Sequence, residues 1–255
     1  MQHGVIRDYT GYVSDNYRLK LFVTSAYKED IFIKENYGYD EKVINLLGLA
    51  RHDNLIRNIN KYDEKIILIM PTWRKYLANI SEDEFKKSDY YLNWSNILSN
   101  KKLLETLEKY DKKIIFYPHR EMQRFVHLFT SSSNRIIIAD IKNYDVQELL
   151  IKASLMITDY SSVFFDFAYM KKPVIWYLFD EDIYHEGHHC KGYFKESESG
   201  LGEISKSEEQ IVLLINKYIK NNFKISNENE EKINNFFAYF DGKNCERIYK
   251  YIKEN

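Results

Sequence analysis

Cysteine, proline and glycine are all scarce in this chain, at 2, 3 and 9 of 255 residues. Two cysteines, Cys190 and Cys245, cannot build a disulfide framework, which points to a reducing, cytoplasmic setting. So little glycine and proline beside 44% hydrophobic residues excludes collagen-like and low-complexity chains. An excess of one charge is missing too. The 37 Lys+Arg and 38 Asp+Glu leave a formal net charge of -1, so there is no global reason to bind nucleic acid, and any polyanion contact has to be local. No apolar run approaches the ~20 residues that cross a bilayer, and Ile66 to Met70 stops at Pro71. Met1-Gln2-His3-Gly4 carries no basic n-region or apolar h-region, so no cleaved signal is expected and the chain reads as soluble or peripheral. There is no Gly-x-Gly-x-x-Gly turn and no Walker A loop, which speaks against dinucleotide oxidoreductases and P-loop ATPases.

What the sequence does hold is a recurrence of short β-branched runs between longer helical stretches, at residues 65–70, 113–117, 135–139, 155–158 and 173–177. Strands alternating with amphipathic helices predict crossover units and a parallel sheet, and runs apolar on both faces predict helices on both sides. A doubly wound α/β domain is therefore expected at residues 61–225. Its helices are predicted at 94–110, 146–154, 161–169 and 207–218. The last opens on Ser207-Glu208-Glu209-Gln210, a capping box. Residues 1–60 predict a strand at 19–24, a helix at 25–36 and a strand at 42–47, too little to bury a core alone, and so the end of a second, partial α/β domain. Residues 226–255 are read as a helical tail, with a polar linker at 226–232 leading to a helix at 242–253. The 22 Tyr and 15 Phe read first as packing and only second as stacking platforms.

Three expected strand ends carry polar tips. In Ile157-Thr158-Asp159-Tyr160-Ser161-Ser162 a strand turns straight into a helix, whose unpaired N–H groups and positive dipole end, with the Ser161 and Ser162 hydroxyls, suit a phosphate. An ordinary N-cap at Asp159 or Ser161 is the competing reading. One turn on, Asp166 is placed to accept a ribose or alcohol hydroxyl, or simply to face solvent. In Phe116-Tyr117-Pro118-His119-Arg120, His119 suits a phosphate contact or a general acid whose pKa the ligand's charge raises. In Met70-Pro71-Thr72-Trp73-Arg74, Arg74 suits bidentate phosphate binding and Thr72 adds a donor. Jointly the three tips argue for one cleft at the carboxyl edge of the sheet. If the N-terminal piece packs across that cleft, His3, beside Gly4 and Arg7, is placed to act as a general base and Arg51 to support phosphates. His185-Glu186-Gly187-His188-His189 matches the zinc-protease pattern formally, but Gly187 and Gly192 interrupt the helix that pattern needs. Asp180-Glu181-Asp182 is not read as a metal site, and no cofactor is expected.

These residues resemble the CDP-glycerol glycerophosphotransferases that build teichoic acid and related glycerol-phosphate polymers. The resemblance rests on Pro71-Thr72-Trp73-Arg74, on Tyr117-Pro118-His119, and above all on Ile157 to Ser162 with Phe165-Asp166 and Lys172-Pro173-Val174-Ile175. Gly48 to Asp53 is similar to the family's Gly-x-Pro-Arg-x-Asp, with Ala50 in place of Pro, and Phe240-Asp241-Gly242 extends the match towards the end. The resemblance implies a GT-B fold, two facing Rossmann-like domains with transfer between them independent of a bound metal. It further implies a CDP-glycerol or related CDP-polyol donor, a polymer or lipid-linked acceptor, and a peripheral position on the inner face of the membrane. The family's Trp-His-Gly-Thr-Pro segment, which carries its candidate base, is matched here only by His3 and Gly4. Donor contacts are then expected from His3, Gly4, Arg7, Arg51, Thr72, Trp73, Arg74, Tyr117, Pro118, His119, Ser161, Ser162 and Asp166, with His3 and His119 catalytic. Most of the first Rossmann half would lie upstream of residue 1. A nucleotide-sugar GT-B glycosyltransferase and a nucleotide-binding fragment without turnover are the alternatives.

Overall fold

Residues 4–9, 19–187 (backbone alone at 185–187) and 192–255 are described in the structure, a computed structural model. The chain begins with β1 (Phe22–Thr24), α1 (Tyr27–Asn36), β2 (Ile44–Leu46) and α2 (Ala50–Arg57). It continues through β3 (Ile66–Ile69), α3 (Glu82–Lys86), α4 (Asp89–Ser99), α5 (Lys101–Lys109), β4 (Lys113–Phe116), β5 (Ile136–Ile138), α6 (Val146–Lys152), β6 (Leu155–Thr158) and α7 (Phe164–Tyr169). It ends with β7 (Val174–Tyr177), α8 (Glu181–Gly187), α9 (Glu196–Ser199), β8 (Glu203–Ser205), α10 (Glu208–Lys220), α11 (Asn227–Phe236) and α12 (Asn244–Glu254).

Every apolar run predicted as a strand is one. The period of two along β3 sends Ile67 and Ile69 to one face of the sheet and Leu68 with Met70 to the other. One face is covered by α4, α5 and α10 through Trp94, Leu103 and Ile215, the other by α6 and α7 through Leu149, Phe164 and Phe167. With both faces buried, the six strands pair in parallel in the order β5-β4-β3-β6-β7-β8. β3 lies mid-sheet, and the chain winds outward to β5 before returning to lay β6 on its other side, with Ile69 level with both Phe116 and Ile157. The gap between β3 and β6 is thus the point where strand order reverses, the usual ligand crevice of an open α/β sheet.

The first unit is a parallel β1-β2 pair with α1 crossing between, around Phe22, Ile33, Tyr37 and Ile44. The end of the chain returns to it. Ala26 bridges Phe237, the Tyr251 hydroxyl donates to the Lys42 carbonyl, and Arg247 Nε donates to the Leu47 carbonyl. Among the described residues no helix is long and apolar enough to cross a membrane.

Four expectations need correction. The predicted helix 94–110 is two helices, because Asn100 leaves the helical region at ψ 116 and caps α5 by accepting from Leu103 N. The supposed linker at 226–232 is the start of α11, capped by Ser226. Helix α7 starts at Phe164 rather than residue 161, since Phe164 N and Phe165 N bond back to the Ser161 and Ser162 carbonyls in a tighter turn. The sheet also gains β8, an edge strand that its polar ends Glu203 and Ser205 concealed.

Candidate functional site

At the switch point the strand tips are stitched to one another. Thr72 N donates to Asp159 Oδ1 at 2.7 Å, His119 N to the Pro71 carbonyl at 3.2 Å, and Thr158 Oγ1 to the Met70 carbonyl at 2.6 Å. Three loops from β3, β4 and β6 are therefore brought together at one edge of the sheet. Ser161 and Ser162 stand half-buried on the β6 tip, where Ser161 Oγ accepts from Val163 N. Thr72 Oγ1 is buried beside the Asp159 carboxylate, whose charged form it favours. Tyr117 and Pro118 are buried and shape the β4 tip, Tyr117 N bonding to the Ile69 carbonyl and the Pro118 carbonyl accepting from Gln123.

His119 is half-buried and lies nearly parallel to Trp73, with ring centroids 6.1 Å apart and planes at 17°. Its Nδ1 accepts from Glu121 N at 3.2 Å, so the neutral ring keeps its proton on Nε2, a donor. Burial holds this imidazole below its ordinary pKa, although nearby Glu121 and Asp159 pull the other way.

Arg74 departs from expectation. It is fully buried, with Nε on Asp180 Oδ2 at 2.8 Å, Nη2 on Asp159 Oδ2 at 2.9 Å, and Nη1 donating to the Thr72 carbonyl at 3.0 Å. The rings of Tyr90, Tyr160 and Tyr184 surround it at 5.0–5.4 Å. Burial alone would pull its pKa down, yet Asp159 and Asp180 hold it above the ordinary value. Its donors serve the protein, so it organises the tip rather than offering itself to a phosphate. Arg7 is likewise buried, paired with Asp8 at 2.9 Å and Glu196 at 2.6 Å, and it ties the N-terminal segment to α9.

Asp166 is not a free acceptor either. Arg51 meets it with Nε at 3.0 Å and Nη2 at 2.8 Å, and His52 Nε2 lies 3.0 Å from Oδ1. Gly4 presses on this fork: a Cβ there would stand 2.7 Å from Arg51 Nη2, so the close approach needs glycine. Glu29 holds the same segment by accepting from Ile6 N at 2.8 Å, and from Ser25 N at 2.8 Å and Ala26 N at 3.3 Å. Burial pushes its carboxyl up to about 7 against these bonds. His3, Gln2 and the motif at 185–189 lie outside the residues whose side chains are described.

Sequence reasoning missed His52 and Asp53. His52 is wholly buried, with Nδ1 3.2 Å from Ser25 Oγ and its ring stacked on Tyr169 at 4.0 Å. Asp53 accepts from Asn244 N at 2.9 Å and Cys245 N at 2.8 Å, capping α12. Gly48 has φ +80, and a Cβ there would clash with Asn244 Oδ1. The Gly48 to Asp53 pattern is thus a clasp, whose glycine and aspartate hold the end of the chain while its arginine holds α7.

The fold and its sequence have relatives. Over 267 aligned residues the chain is 35% identical to the minor teichoic acid biosynthesis protein GgaB of Bacillus subtilis (strain 168), covering 100% of this chain and 29% of that protein. It is 27% identical to a teichoic acid poly(glycerol phosphate) polymerase of Staphylococcus epidermidis, covering 91% of this chain and 32% of the relative. The chain therefore spans about a third of the length of these relatives. The wall teichoic acid polymerase TagF superposes with a TM-score of 0.68 at 20% identity, covering 99% of this chain and 67% of that one, which establishes a GT-B-like α/β fold. The model of the family "CDP-Glycerol:Poly(glycerophosphate) glycerophosphotransferase" matches residues 7–254, and the chain belongs to that family.

Proposed function

We propose that this chain carries the donor-binding part of a transferase, which moves glycerol phosphate or a similar polyol phosphate from a CDP-linked donor to a hydroxyl of a polymer or lipid-linked acceptor and releases CMP. The observation that carries the reading is the convergence of the β3, β4 and β6 tips at the switch point of a chain from this family. Residues 61–225 would hold the donor, with residues 1–60 closing over it.

In this reading the donor diphosphate lies against Ser161, Ser162 and His119 Nε2. Hydrogen-bond donors already fixed by the fold meet the charge that develops on the departing phosphate, so little reorganisation is needed. Trp73, braced on His119, offers a face for the cytosine. Arg51, anchored by Asp166, supplies a cation at the opposite wall. His3, which precedes Gly4 in the sequence, would take the acceptor hydroxyl's proton as its oxygen attacks phosphorus and CMP leaves. A position on the inner face of the cell membrane fits a lipid-linked acceptor. Incubation with radiolabelled CDP-glycerol and a glycerol-phosphate acceptor tests the reading. CMP release with acceptor extension supports it, and release of a nucleoside diphosphate from a nucleotide sugar would replace it with the glycosyltransferase reading.

A further inference from the structure

Away from the switch point, a hollow of about 260 Å³ lies where α1 of the first unit meets the stretch before α9 and the end of α11. Its wall combines three ammonium groups, Lys28, Lys195 and Lys232, and one carboxylate, Glu198, with three aromatic rings, Tyr193, Phe194 and Phe236. Among the described residues, two of these lysines pair with exposed carboxylates: Lys195 with Glu198, 69% exposed, and Lys232 with Glu228, 75% exposed. Such pairs are weak and readily exchanged for another anion. Lys28 makes no ion pair among the described residues.

The position of the hollow connects it to the candidate site. Phe194 packs against Phe165 at 5.0 Å and Phe236 stacks on Phe165 at 5.3 Å, while Phe165 immediately precedes Asp166, the anchor of Arg51. The Arg7 guanidinium sits 5.3 Å above the Phe194 ring, three residues from Gly4. The aromatic back wall thus rests on the residues that frame Arg51. A larger hollow, about 710 Å³, opens at the other rim of the sheet beside Ser154 and Lys172, where Lys172 caps α6 through three carbonyls and Lys171 pairs with Glu230.

We propose that the smaller hollow is an acceptor subsite that seats a chain of polyol phosphates, its phosphodiesters on Lys28, Lys195 and Lys232 and its carbon backbone on the aromatic faces. Lysine serves phosphodiesters of varying orientation as a point charge, and the rings favour a polyol over a bare anion. The proposal rests on the transferase reading above and names where the acceptor extends beyond its reacting end.

The test is calorimetric titration of the full chain with a synthetic glycerol-phosphate hexamer, with CDP-glycerol titrated in parallel. In Lys28→Ala/Lys232→Ala, hexamer affinity should fall by roughly tenfold, while Lys28→Arg/Lys232→Arg keeps most of it. Lys224→Ala, in the larger hollow, should leave it unchanged. Thermal melts of all three variants should match the parent, since these side chains are exposed. Unchanged hexamer affinity in the double alanine variant overturns the subsite, as does an equal loss in Lys224→Ala. It is also overturned if inorganic phosphate or uncharged oligoglycerol competes equally, or if the double variant loses only its binding to phosphatidylglycerol vesicles. Failure of CDP-glycerol to bind while the hexamer binds as described would sink the transferase reading and leave the anionic subsite standing.

Discussion

Arg74 and Arg51 each stand five residues beyond the end of a strand, Arg74 after Ile69 and Arg51 after Leu46. Arg74 has 0% side-chain exposure and two carboxylates, whereas Arg51 keeps 31% and shares Asp166 with His52. The difference lies in partners as much as in position. A buried guanidinium with two aspartates and a cage of rings is already satisfied, and drawing it towards a phosphate would strand two carboxylates in the interior. Arg51 is held on a buried carboxylate and keeps part of its side chain exposed. That arrangement lets an arginine stay oriented and still meet an anion.

The comparison breaks most directly at Arg74. Arg74→Ala should cost ~3–5 kcal/mol of stability, because Asp159 and Asp180 lose their shared cation. A urea midpoint close to the parent's would show that the cage does not depend on it. Next comes Glu29, which fastens the segment that lays Gly4 on Arg51. Its folded pKa is raised to about 7 from 4.5, so its stabilising contribution is present below about pH 4.5 and is lost as the pH rises through 7. The window is worth up to ~3 kcal/mol. Melting temperature should therefore fall from pH 5 to pH 8, with a flatter profile in Glu29→Gln, and a parallel slope in the two proteins would rule this account out.

At Arg51 the two readouts should come apart. Arg51→Ala should lower kcat on the order of 10²-fold, ~2.7 kcal/mol, while costing less than ~2 kcal/mol of stability, and Arg51→Lys should not restore the bidentate fork. Equal losses of folding and turnover would place Arg51 beside Arg74 as a structural residue. The smallest effect belongs to His119. His119→Gln should weaken CDP-glycerol binding roughly tenfold, ~1.4 kcal/mol. In the free protein its imidazole titrates below the usual 6.5, and a bound diphosphate raises it, so donor affinity should strengthen as the pH falls from 8 to 6. A flat parent profile would remove His119 from the phosphates.

The β3 to β7 strands were legible because each is a short, mostly apolar run, a pattern that polar Glu203 and Ser205 deny to β8. The three tips were legible for the same reason, since each follows directly from such a run. The fate of Arg74 was not, because the aspartates that claim it lie 85 and 106 positions along the chain. Nor was the role of His52, which depends on Ser25, Tyr169 and Asp166 meeting around one ring. Helix α11 escaped notice because Ile233 is its single fully buried residue.

The clasp at Gly48 and Asp53 has a practical corollary for anyone engineering this polypeptide. Helix α2 presents Arg51 and His52 towards Asp166 and Asp53 towards α12, so shortening the sequence after Asp241, or grafting a rigid partner there, would release the opposite flank of that helix. A deletion near residue 244 would then behave as a lesion near residue 51.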